Sequence, residues 1–107
     1  EVAYLGDVLP EDAYDEELTR LRDEARAAFV AVARSLARLE ESLGHPEAAA
    51  RHYQRLLAVD PFDEAAHLGL VGALSLEGQH GEARRVYGQY AERMGELGLD
   101  PAPFPAA

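Results

Sequence analysis

The chain repeats itself at a distance of 34 residues: Gly44 matches Gly78, Ala49 matches Ala83, Tyr53 matches Tyr87 and Leu36 matches Leu70. That period is the length of a unit made of two antiparallel helices joined by a short turn. The residue types suit such a unit. Glycine breaks the chain between the paired helices, alanine lets them approach closely, and tyrosine fills the space between neighbouring pairs. One pair cannot bury its apolar face alone, so pairs must stack and share a core. With 107 residues the chain holds one such stack, a single domain over residues 1–107.

Helical periodicity places the units. Residues 1–12 read as an extended lead-in, punctuated by Gly6 and Pro10, with Tyr4, Leu5, Val8 and Leu9 available to pack onto the body. The carboxylates Glu11, Asp12, Asp15, Glu16 and Glu17 mark a helix start, because the helix dipole favours negative charge there. They lack the alternating ligands and central glycine of a calcium loop. No Pro or Gly interrupts Ala13–Leu43, and Leu18, Leu21, Ala25, Phe29, Val32, Leu36, Leu39 and Leu43 recur every three or four residues. This predicts one long helix with those residues facing inward. Its first half is expected to cover the stack and its second half to open the first pair. Gly44 ends it, and Pro46 fits the first turn of the next helix.

Three shorter helices are predicted to follow. One spans Pro46–Val59, with Ala49, Tyr53, Leu56 and Leu57 inward, and Asp60-Pro61 stops it. The next spans Asp63–Glu77, with Ala66, Leu70, Val71 and Leu74 inward, before Gly78. The last spans Gly81–Leu97, with Ala83, Val86, Tyr87, Tyr90 and Met94 inward. Helices are thus expected within residues 13–97. Residues 98–107 carry Pro101, Pro103 and Pro105 and read as an extended tail.

Charge and composition exclude several functions. The net charge is −10, from 20 acidic side chains against 10 basic ones, every one of them Arg. Such a field repels a polyanion, so direct contact with nucleic acid is not expected. There is no Cys, which removes disulfides and thiolate metal sites. No apolar run approaches the roughly 20 residues of a membrane span, and no leader peptide is visible. A cytoplasmic location is expected. The sequence opens on Glu1 and not on Met, which suits a piece of a longer chain.

No catalytic constellation stands out. His45, His52, His67 and His80 form no zinc-binding spacing, and Ser35, Ser42 and Ser75 lack a nucleophile elbow. No cofactor, metal or catalytic residue is expected. Gly69 and Gly72 sit inside a predicted helix, where glycine costs about 1 kcal/mol against alanine. Close helix packing is the preferred explanation, with a ligand-facing groove as the other.

The segment GHPEAAARHYQRLLAVDP resembles the second half of a tetratricopeptide repeat, and GQHGEARRVYGQYAERM is a fair second copy without the closing Pro. The expected fold is therefore all-α, a tetratricopeptide-like stack of antiparallel helix pairs with a long first helix. YLGDVLPEDAY resembles the opening of the bacterial transcriptional activator domain, found beside the DNA-binding domain of antibiotic regulatory proteins. LAVDPFDEAAHLGLVGAL, with His67, resembles the middle of that family. GEARRVYGQYAERMGELGLDPAP, with Leu97, Gly98, Asp100, Pro101 and Pro103, resembles its close. The chain departs from the family in having no Trp after the opening motif.

The resemblance implies a non-enzymatic regulatory module that makes protein contacts. Its partners would be an adjacent winged-helix DNA-binding domain, a second copy in a homodimer, or the transcription machinery. The other reading is a generic tetratricopeptide adaptor that grips a peptide. In such stacks the concave groove is lined by the first helix of each pair. The candidate groove residues are Arg34, Arg38, Glu41, His67, Leu68 and Val71, Val71 having been counted on the inward face as well.

Overall fold

The computed structural model describes residues 11–105. The lead-in read over Glu1–Pro10, and Ala106 and Ala107, lie outside the described residues. Four helices follow one another: α1 (Glu11–Ser42), α2 (Pro46–Val59), α3 (Glu64–Leu76) and α4 (His80–Glu96). Among the described residues there is no strand. Helix α1 begins at Glu11, so residues 11 and 12 join its carboxylate-rich first turn and not the lead-in.

Each helix packs on the next in chain order, and the repeat is visible in how the helices end. Gly44 and Gly78 adopt φ of 76° and 80°, the left-handed region where a Cβ would be strained. At each the chain folds back to satisfy the last carbonyls. His45 N donates to Glu40 O at 2.8 Å, and Gln79 N donates to Leu74 O at 2.9 Å. Helix α2 ends differently. Asp60-Pro61 breaks it, and Asp63 caps α3 by accepting from Ala66 N at 2.9 Å.

The core forms where paired helices meet. Ala33 and Ala37 of α1 face Ala49 and Ala50 of α2, and these four buried small side chains let the two backbones come close. Leu56, Val71 and Tyr90 are the largest fully buried side chains, each contributing roughly 1.5–3 kcal/mol through lost apolar surface. The inward residues read for α3 are all buried: Ala66, Leu70, Val71 and Leu74. In α2, Ala49, Tyr53 and Leu56 are buried and Leu57 is partly so; in α4, Tyr87 is the one partly buried member of its set.

Helix α1 departs from its sequence reading. Phe29, Val32, Leu36, Leu39 and Leu43 are 40–59 % exposed, and Leu21 and Ala25 are exposed as well. The face that meets α2 is instead Ala33 and Ala37, with Val30 partly buried beside them. The reason is geometric. Helix α2 has 14 residues, about 21 Å, and covers only the C-terminal part of α1. The first half of α1 does not lie over the stack: from Ala13 to Phe29 every residue but Leu18 is exposed. The apolar stripe and the buried face of α1 are adjacent, not identical.

Candidate protein-interaction surfaces

The six candidate groove residues do not share one surface. Val71 turns fully into the core at 0 % exposure, as its α3 neighbours Leu70 and Leu74 require. His67 is buried too, with Nε2 2.7 Å from Pro61 O, so that nitrogen carries the proton and donates to the carbonyl. Its ring lies 5.7 Å from that of Tyr90, and its Nδ1 is buried without a hydrogen-bond partner. Neither residue can reach a partner in the groove.

Arg34 is committed within the fold. Its Nη1 donates to Asp63 Oδ1 at 3.0 Å, and Nη2 makes the parallel bond to Oδ2. The same carboxylate caps α3, so Asp63 ties α1 to the start of the second pair. The Arg34 guanidinium holds the Asp63 carboxyl below its usual range, helped by Ala66 N–H, and Asp63 in turn raises Arg34.

Arg38, Glu41 and Leu68 remain accessible, and Glu41 and Leu68 do line a groove. It encloses about 360 Å³ between the end of α1, the face of α3 and Pro105 of the tail. Gly72 and Leu76 form its α3 wall together with Ser75, whose Oγ is buried without a partner. The two glycines of α3 have separate roles. A Cβ on Gly69 would stand 2.4 Å from Tyr53 Cζ, so Gly69 is there for close packing. A Cβ on Gly72 would meet nothing within 4 Å, so Gly72 widens the groove. Tyr53, packed against Gly69, donates to Glu41 Oε2 at 2.8 Å. Burial, followed by the Glu41 hydrogen bond and charge, pushes the Tyr53 phenol up to about 12.

The far end of the stack is closed by the tail. Tyr87 Oη donates to Ala102 O at 2.6 Å, while Tyr90 Oη accepts from Ala102 N and donates to Glu64 Oε2, both at 2.6 Å. Phe104 sits edge-on to Tyr87 at 5.3 Å, with Arg84 4.0 Å over its other side. The sequence reading made this tail extended but gave it no task. The signal was Phe104, an aromatic residue among prolines.

At the near end, nothing among the described residues covers the exposed stripe from Phe29 to Leu43. A family model described as bacterial transcriptional activator domain matches residues 3–104. The chain belongs to the bacterial transcriptional activator domain family. Searches of the curated proteins and of the solved structures found no match.

The family is a regulatory one, not a catalytic one. The activator domain has two unequal ends, one sealed by its own tail and one exposing large apolar side chains, with a small groove between them. Among the described residues no cluster of His, Asp or Glu is placed to hold a metal ion. No helix of the described residues is long and apolar enough to cross a membrane. What this arrangement offers chemically is shape and apolar surface, the means of holding another protein segment.

Proposed function

We propose that this activator domain is a cytoplasmic, non-enzymatic interaction module that regulates transcription through protein contacts, within its regulator or between copies of it, and does not itself touch DNA. The exposed α1 stripe carries the reading. Five large apolar side chains in register along one helix are costly to leave in water, and such patches mark contact surfaces. The charge distribution argues against DNA. Arg20, Arg26, Arg34, Arg85 and Arg93, half of the ten Arg, each pair with a carboxylate, and the net charge is −10.

The test is promoter activation by the natural regulator carrying Val32→Asp and Leu39→Asp. Both positions are exposed, so the fold survives, and activation is expected to drop severalfold. Unchanged activation by a well-expressed variant would sink the reading. Titration of the isolated chain with duplex DNA at low salt should show no binding; steeply salt-dependent binding would overturn the second half of the proposal.

One observation favours a second reading, a peptide-gripping adaptor. Gly72 leaves open space in the α3 groove beside Leu68, Leu76 and Pro105. Gly72→Leu fills that space and should abolish peptide capture under this reading, while leaving α1-mediated contacts intact.

A further inference from the structure

We infer that the α4 face beneath the tail is a binding site for an extended proline–aromatic–proline segment, which the domain keeps occupied with its own residues 101–105. This face is separate from the α1 stripe, and the inference does not rest on the stripe.

The internal repeat shows what the tail stands in for. Steps of 34 residues lead from Leu36 to Leu70 and on to Phe104, and from Tyr53 to Tyr87. One unit earlier, Tyr53 lies against α3 at Gly69. Tyr87 is its counterpart on α4, and it meets Phe104, the counterpart of Leu70, with 5.3 Å between ring centroids. Pro101, Pro103 and Pro105 forbid a helix here. An extended segment therefore meets the tyrosine that, one unit earlier, meets a helix.

The seat reads features that any segment of this kind presents. Alternate prolines fix φ and leave only Ala102 and Phe104 with an N–H between residues 101 and 105. Tyr90 Oη accepts the Ala102 N–H, and Tyr87 Oη donates to the Ala102 carbonyl, both at 2.6 Å. Tyr90 is fully buried and gives its own proton to Glu64 Oε2 at 2.6 Å, which leaves an Oη lone pair for the segment. Phe104 is held between the Tyr87 ring and the Arg84 guanidinium, 4.0 Å from its centroid. Hydrogen bonds thus go to backbone, and ring contacts to an aromatic side chain. That is the combination by which aromatic-lined grooves hold proline-rich segments. Such a segment is stiff beforehand, so binding costs it little entropy.

Nothing in this hold requires a covalent link. Residues 97–101, which join α4 to the seated part, are all exposed, Leu99 by 55 %. The short connection keeps the tail near its seat at an effective concentration on the order of 1 mM. The seat is therefore closed to dilute peptides. It opens to a segment of the same chemistry presented at a comparable local concentration, as another part of one regulator is.

The experiment is fluorescence anisotropy of a labelled synthetic peptide, GLDPAPFPAA, titrated with the full chain and with variants whose own tail is loosened. Phe104→Ala removes the ring from the seat, and Ala102→Pro removes the N–H taken by Tyr90. Each variant should bind the peptide at least about tenfold more tightly than the unaltered chain, since its tail competes less. Adding Arg84→Ala to Phe104→Ala should weaken peptide binding about threefold or more. A peptide with alanine in place of its phenylalanine should not bind. Absence of binding to both variants at about 1 mM, or equal binding to all the chains, overturns the inference. Loss of the helical circular dichroism in both variants overturns it too, because the tail is then part of the core and not a replaceable occupant. Val32→Asp with Leu39→Asp should leave peptide binding unchanged, so failure here and failure of the α1 reading are told apart.

Discussion

Replacing Gly69 and Gly72 with alanine, one at a time, should move stability in opposite directions although both lie in α3 and are three residues apart. A Cβ on Gly69 would meet Tyr53 Cζ, Cε2 and Cε1 at 2.4, 2.6 and 2.8 Å, against about 3.5–4.0 Å for comfortable carbon contacts. The ring cannot swing aside, because Tyr53 is buried and its hydroxyl is tied to Glu41. Relief must come from parting α2 and α3, an overpacking cost of about 1–3 kcal/mol. The better helix propensity of alanine returns about 1 kcal/mol of that. Gly69→Ala is thus expected to lose up to about 2 kcal/mol, and Gly72→Ala, whose Cβ meets nothing within 4 Å, to gain about 1 kcal/mol. At roughly 4–8 °C per kcal/mol for a domain near this size, the melting temperatures of the two variants should differ by at least about 4 °C. Thermal unfolding followed by circular dichroism reads this directly. Equal stabilities, or a more stable Gly69→Ala, would refute the close approach of α2 to α3.

Four further outcomes follow from the hydrogen-bond network. Asp63→Ala removes a helix cap and leaves Arg34 unpaired, so urea denaturation should show a loss of about 1–2 kcal/mol. Because the Asp63 carboxyl is held below its usual range in the fold, its contribution is full above the unfolded value of 3.8 and fades as pH falls through the depressed one. The gap between wild type and Asp63→Asn should therefore close on acidification below about pH 4. Tyr53 has the reverse sign: with the phenol pushed up to about 12 from 10.0, its contribution is full below pH 10 and lost as pH rises toward 12, and Tyr53→Phe should flatten that alkaline loss in denaturant titrations. Tyr90→Phe strips partners from Glu64 and Ala102 N, and should cost about 1 kcal/mol and speed hydrogen exchange at Ala102.

The repeat itself was legible in the sequence because its punctuation is physical. Gly44 and Gly78 sit at left-handed turns, Pro46 opens a helix and Asp60-Pro61 closes one, and all of these fall where the residues place them. The inward faces of α2, α3 and α4 could be read because each of those helices has a covered side dominated by its own apolar set. Helix α1 could not be read this way. Periodicity shows that Phe29, Val32, Leu36, Leu39 and Leu43 share a face, but not whether anything lies upon it. Its true contact with α2 is made by Ala33 and Ala37, whose value is their small size and not their hydrophobicity. The same limit affected the groove. Arg34 and His67 looked like polar residues free for a partner, yet Asp63 and Pro61 O, both on the turn between α2 and α3, had already engaged them. The seat of the tail on Tyr87 and Tyr90 depends on backbone groups of Ala102, which leave no mark in composition or period.

The central claim is that the α1 stripe is a contact face in the natural regulator, and thiol reactivity measures it most directly. The chain has no Cys, so Val32→Cys or Leu39→Cys introduces a single reporter into the domain. In the isolated domain, diluted until monomeric, either thiol should react with a maleimide at the rate of an exposed cysteine. In the natural regulator at working concentration the account predicts protection of at least about tenfold, as burial of the site in a specific interface requires. Equal rates in the two settings would contradict it.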